Sequence, residues 1–131
     1  MTRTRIRVFA EESGPLFDGR ADADLYKWMD ETKKAVAVAG LGQVQARLDK
    51  VLKHPTGAYQ SNLQTVTVGR NDQVVTDRGV AYGPWLEGVS KRNESTRFKG
   101  YHTFRYVFRR LRKEATPIAQ KILDKYIERM N

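Results

Sequence analysis

The sequence predicts an α+β fold, with a small antiparallel β-sheet packed against a long helix in the N-terminal half and a second helix at the C-terminus. Three observations predict it. Arg3 to Phe9 alternates with period two, apolar residues recur at helical spacing over 25–52 and 101–130, and valine-rich runs separated by Gly, Asn and Asp lie between the two helical stretches. The order β, α, β-meander, α sets the helices on one face of a sheet. A chain of 131 residues fits one domain spanning 1–131, a size that buries roughly two-thirds of its unfolded surface.

In the first strand Ile6 and Val8 point one way and Arg5 and Arg7 the other. Ser13-Gly14-Pro15 and Asp18-Gly19 punctuate the following loop, and Asp22 or Asp24 can cap the helix after it. Leu25, Trp28, Met29, Thr32, Val36 and Ala39 form its stripe, which Leu41, Val44, Leu48, Val51 and Leu52 continue. Gly40 and Gly42 weaken it by about 1 kcal/mol each relative to alanine, so a kink near Gly40 is open. The helix ends before Pro55, because the residue preceding proline avoids helical geometry.

Leu63, Val66 and Val68 mark a strand, Gly69-Arg70-Asn71-Asp72 a turn, and Val74-Val75 the return strand of a hairpin. Asp77-Arg78-Gly79 turns the chain into a short Val80–Tyr82 strand, which Gly83-Pro84 stops. Ser90 to Thr96 reads as a polar loop. From Tyr101 onward Phe104, Phe108, Leu111, Ala115, Ile118 and Ile122 make a helical core face, extended by Tyr126 and Met130. Pro117 interrupts it either as a kink in one helix or as the first residue of a second. The unbroken apolar phase favours one helix.

Composition narrows the function classes. Hydrophobic residues are 40% and charged residues 30% of the chain, which suits a folded domain. No apolar run approaches the ~20 residues that cross a bilayer, so no membrane partner is expected. The start, MTRTRIRVFAEE, reads as a strand and not as a secretory signal. With no cysteine, disulfides and thiolate metal sites are excluded. The net charge is +9, and from Gly88 onward twelve Lys and Arg face four acids, which implies an acidic partner surface or nucleic acid.

A catalytic constellation is missing. His54 and His102 have no metal-ligand spacing, no phosphate-cradling glycine motif occurs, and no serine is paired with a base. The expectation is a non-enzyme with no cofactor, no metal and no catalytic residue. The run Arg97–Lys113 interleaves aromatics with Arg and Lys, as nucleic-acid binders do. If its aromatics are core, then Arg105, Arg109, Arg112 and Lys113 form a solvated or partner-facing side that can contact DNA or an acidic partner.

Three segments resemble a known family. His54-Pro55-Thr56-Gly57-Ala58-Tyr59-Gln60-Ser61-Asn62-Leu63 resembles the P-x-TG-x-L-x-x-S-I segment of the neck and tail-completion proteins of long-tailed bacteriophages. Tyr82-Gly83-Pro84-Trp85-Leu86-Glu87-Gly88 resembles that family's YA-x-y-x-E-x-G segment. The string YGPWLEG, then RN, then RFKGYHTFR, looks like the version in phages of actinobacterial type. The likeness spans roughly residues 24–130. Glu87 is followed directly by Gly88, and Ser90–Lys99 is longer and more charged than the usual loop.

The resemblance implies a virion structural protein at the head–tail junction, made in the host cytoplasm. It would form a homo-oligomeric ring of six or twelve copies between the portal or head-closure tier and the tail tube, in a tail-completion or terminator role. Its partners would be itself, neighbouring neck proteins and the tail-tube protein, with transient contact to passing DNA. A small nucleic-acid-binding protein using the basic C-terminal third is the alternative.

Rings join two different patches of each subunit. Tyr82 and Trp85 are of the type enriched at interface centres. Trp85 is expected either there or capping the sheet–helix core, and Glu87 either faces a basic neighbour or is solvated. Lys91, Arg92 and Arg97 join them as interface candidates on a loop expected to be mobile until a neighbouring chain orders it. No continuous exposed apolar stripe is expected, so the free protein should associate weakly with itself.

Overall fold

Alternation at the N-terminus makes an edge strand, β1 (Arg5–Val8), in which Ile6 is buried and Arg5 and Arg7 are exposed. The computed structural model describes residues 4–9, 23–52 and 57–130. The loop punctuated by Pro15 and Gly19, Asp22, the side chain of Asp24, and the stretch of 53–56 with His54 and Pro55 lie outside the described residues. The expected caps and the proline stop therefore fall outside them too.

Period-3.6 spacing yields one helix, α1 (Ala23–Val51), running through Gly40 and Gly42 without a break. Its stripe buries Met29, Val36, Ala37, Val44 and Leu48. Gly40 does more than weaken the helix. A Cβ there would stand 2.8 Å from Leu111 Cδ1 and 3.5 Å from Val75 Cγ2, so its bareness lets α1 approach both the sheet and the C-terminal helix. Gly42 has open space around it.

After a 3-10 turn at Gln60–Asn62, β2 (Gln64–Val68) and β3 (Asp72–Thr76) form the expected hairpin, with Gly69 and Asn71 at positive φ in its turn. The sheet order is β1-β3-β2, antiparallel throughout. Ile6, Val75 and Thr65 are direct cross-strand neighbours and so share one face, the side on which Ile6 and Val75 join the helical core. On the other face Arg7 and Val66 flank Val74, and Arg7 is anchored by Asp72 at 2.6 Å.

The N-terminal strand thus forms as expected and completes the sheet as β1, whereas the expected Val80–Tyr82 strand does not form. Residues 80–82 continue the turn, with Gly83 N–H donating to the Val80 carbonyl at 2.9 Å. Pro84 then sits in the first turn of a short helix, α2 (Gly83–Glu87), where its fixed φ starts a helix instead of ending a strand. The expected polar loop is also structured: Lys91–Ser95 forms helix α3.

The last helix, α4 (Thr103–Met130), is continuous through Pro117. Pro117 lies on its exposed side, as does Lys113, whose carbonyl loses its helical donor and can be hydrated. Phe104, Val107, Leu111, Ile122 and Tyr126 are buried, and Trp28 Nε1 donates to the Ala119 carbonyl at 2.9 Å, pinning α4 to α1. Phe108, expected in the core, is 44% exposed. Val107 takes its place, fully buried, because the packed stripe runs through 104, 107 and 111 and leaves 108 a quarter-turn outside it. Among the described residues no helix is long and apolar enough to cross a membrane.

Candidate functional site

The segment between Tyr82 and Thr103 joins the sheet to α4 and carries six of the ten sequence-selected residues. Its foundation is the pair Gly88 and Gly100, both at positive φ (98° and 94°). A Cβ on either would run into the other's backbone, so only glycine permits this crossing. Across it Tyr101 N–H donates to the Leu86 carbonyl at 2.7 Å and His102 N–H to the Glu87 carbonyl at 3.2 Å.

His102, at φ 51°, precedes α4 in a left-handed conformation. The acceptor for the helix's first amides comes from elsewhere. Glu87 Oε1 accepts from Phe104 N–H at 2.9 Å and Oε2 from Arg105 N–H at 3.0 Å, a carboxyl cap delivered from seventeen and eighteen residues upstream. Glu87 is only 5% exposed. Burial pushes its carboxyl above the usual carboxylate range, and the two backbone amides offset that only in part. The expected role for Glu87, facing a basic residue of a neighbouring subunit or solvent, is therefore incorrect: both oxygens serve its own chain.

Asn93 holds the rest together. Its Oδ1 accepts from Ser90 N–H at 3.0 Å, while its Nδ2 donates to the carbonyls of Trp85 and Phe98 at 3.1 and 3.0 Å. Ser90 and Asn93 form a reciprocal cap on α3. Lys99 Nζ donates to the Asn93 carbonyl at 2.8 Å. Sequence reading missed Asn93, although the Ser90-x-x-Asn93 spacing was a usable signal.

On the outer side Trp85 is half-buried, packed on Phe98 with ring centres 4.9 Å apart, and Phe98 in turn meets Tyr101 edge-on. The Arg92 guanidinium lies 4.8 Å above the Trp85 ring. Trp85 thus belongs to an aromatic stack within the cap and not to the sheet–helix core cluster. Lys91, Arg92 and Arg97 are exposed, and Tyr82 is 46% exposed with its ring 5.6 Å from that of Tyr59.

Beneath the cap lies a buried polar knot. Asp77 accepts from Tyr59 Oη at 2.8 Å, Thr4 Oγ1 at 3.3 Å and Gly79 N–H at 2.9 Å. Burial, then the Asp77 hydrogen bond, push the Tyr59 phenol far above its ordinary range, which keeps it a donor. Lys33, 4% exposed, lies 3.8 Å from Asp30 and 3.9 Å from Asp72. Neither group was singled out by sequence.

The remaining candidates lie on α4. Arg105, Arg109, Arg112 and Lys113 are exposed, and the last three line one shallow hollow. Arg105 is set apart, beside β1. The structure therefore divides the ten candidates into the outer cap, the α4 face and a buried Glu87. No group of three or more potential metal ligands occurs among the described residues. No protein-family model, curated protein or solved structure matches this chain.

Proposed function

We propose that this chain is a structural protein of the phage neck, acting in tail completion or as a terminator within a ring between the portal or head-closure tier and the tail tube. The observation that carries this reading is the joining of two separated motif segments. Tyr82–Gly88 and Arg97–Arg105, each of which resembles a neck-family segment, are bound to each other by Glu87, by Tyr101 and His102, and by the crossing of Gly88 with Gly100. Such an arrangement supports reading the two motifs as one device and not as two chance likenesses.

The outer cap, with Tyr82, Trp85, Lys91, Arg92 and Arg97, is the surface offered to a neighbouring subunit. Aromatic and arginine side chains on a rigid base suit an interface centre. A stop codon placed early in this gene, within a phage genome that carries it, should yield DNA-filled heads and separate tails, or tails of faulty length, in electron micrographs. Normally joined, infectious particles overturn the proposal.

One observation favours a second reading. The exposed Arg109, Arg112 and Lys113 share a hollow on α4, as phosphate-contacting residues would. Under that reading duplex DNA binds the purified protein with a steep salt dependence that grows with the number of phosphates neutralised. Assembly onto portal-side or tail-tube proteins without DNA is the behaviour of a neck subunit.

A further inference from the structure

Phe108 is exposed although its spacing marks it as core, and Phe9, which follows β1 in phase with the exposed Arg5 and Arg7, is exposed beside it. They are 44% and 59% exposed, and they are not scattered. One hollow of about 290 Å³ opens beside Arg5, Ile6, Phe104, Arg105 and Phe108. A second, of about 200 Å³, opens beside Val8, Phe9, Leu111, Arg112 and Ala115. Ile6 and Phe108 line both, so the two are one groove running between β1 and α4. β1 is an edge strand of the sheet, and its residues of both parities, Arg5 and Arg7 as well as Ile6 and Val8, reach the groove.

Its chemistry is lopsided. The floor is aliphatic and aromatic. Around it stand Arg5, Arg7, Arg105 and Arg112, with Arg112 lying 5.9 Å over the Phe108 ring. Arg7 is paired with Asp72. The acid among the lining residues is Glu87, and both of its oxygens already accept from backbone amides. We propose that this groove is the docking site for a segment of a partner protein that carries acidic residues on either side of a large apolar side chain. The apolar side chain rests on Phe108 and Ile6, and the acids meet Arg5, Arg105 and Arg112.

Charge complementarity selects this occupant over the others. A second copy is a poor source of an acidic segment, because the chain carries a net charge of +9 and would bring predominantly basic surface to a basic rim. A nucleic acid wants a continuous basic track with flat faces for its bases, whereas Ile6, Val8, Leu111 and Ala115 offer an aliphatic floor between separated arginines. The site lies apart from the outer cap and stands whether or not the chain forms a neck ring.

The test uses the full chain and a library of random short peptides. Selection should enrich sequences with Asp or Glu flanking Leu, Ile or Phe. The enriched peptide, labelled and followed by fluorescence anisotropy, should bind Phe108→Ser and Arg112→Glu at least about tenfold more weakly, the scale of one interface hot spot. Both residues are exposed, so both variants should keep the parent melting temperature. Several results overturn the proposal: no acidic enrichment, equal affinity for Phe108→Ser, or displacement of the peptide by duplex DNA. So does self-association in sedimentation that Phe108→Ser abolishes, which would make the groove a contact between copies. Peptide binding that emerges only after Glu11, Glu12 and Phe17 are replaced would equally overturn it, since the chain's own acidic segment would then be the occupant.

Discussion

Where α1 meets α4, the contact is apolar and shaped by size: Gly40 is bare so that Leu111 can close on it, and Val107 and Val44 are wholly buried nearby. Where the 82–103 segment meets the same α4, the contact is polar and shaped by direction. Glu87 aims two oxygens at two α4 amides, and Asn93 braces the segment that carries Glu87 through three hydrogen bonds to Ser90, Trp85 and Phe98. Apolar packing is non-directional and tolerates many sequences, while a buried polar cap works only if every partner is present. One helix is therefore held by two kinds of contact, and they should fail differently.

The largest effect is expected at the apolar contact. Leu111→Ala removes a side chain that is 3% exposed and should cost about 3 kcal/mol, because the cavity relaxes only in part. Chemical denaturation should keep a single cooperative transition at a lower midpoint. A loss below about 1 kcal/mol would mean that the α1–α4 contact collapses around the gap.

Next comes the polar contact. Glu87→Gln leaves one of two α4 amides without its acceptor and should cost about 2 kcal/mol. It also carries a pH signature. The folded protein holds the Glu87 proton more tightly than the unfolded chain, whose value is 4.5. The group's contribution is thus fully present below that pH and is lost as pH rises through its folded value. Glutamine does not titrate, so the melting-temperature gap between parent and variant should narrow as pH rises above 4.5. A gap that widens would show the two amide bonds outweighing the burial of charge.

The smallest effect has the opposite sign. Gly42 lies mid-helix, and a Cβ added to it would meet nothing within 4 Å, so Gly42→Ala should raise stability by up to about 1 kcal/mol. Gly40→Ala, two residues away, would meet Leu111 at 2.8 Å and should gain less or lose. Thermal melts of the two variants beside the parent compare them directly. Equal gains at both positions would remove the size-based account of the α1–α4 contact.

Sequence reading succeeded where structure is local. Alternation at 5–8, the turn at Gly69–Asn71 and the stripes of α1 and α4 each repeat a period that the backbone itself imposes. It failed where a local pattern had two continuations. Gly83-Pro84 can end a strand or start a helix, and Phe108 fits a core stripe as well as Val107 does. Charge also misled it, since Glu87, the one acid in the Tyr82–Gly88 segment, reads as an interface or surface acid.

By itself, then, the sequence determined the fold class, the two long helices, the hairpin and the basic C-terminal face, because hydrophobic periodicity reports which side of an element turns inward. Only the tertiary structure decided that β1 completes the sheet, that Glu87 is the cap of α4, and that Phe9 and Phe108 border a basic-rimmed groove. Each of these depends on residues seventeen to about a hundred positions apart coming together, and separation along the chain leaves no periodic trace.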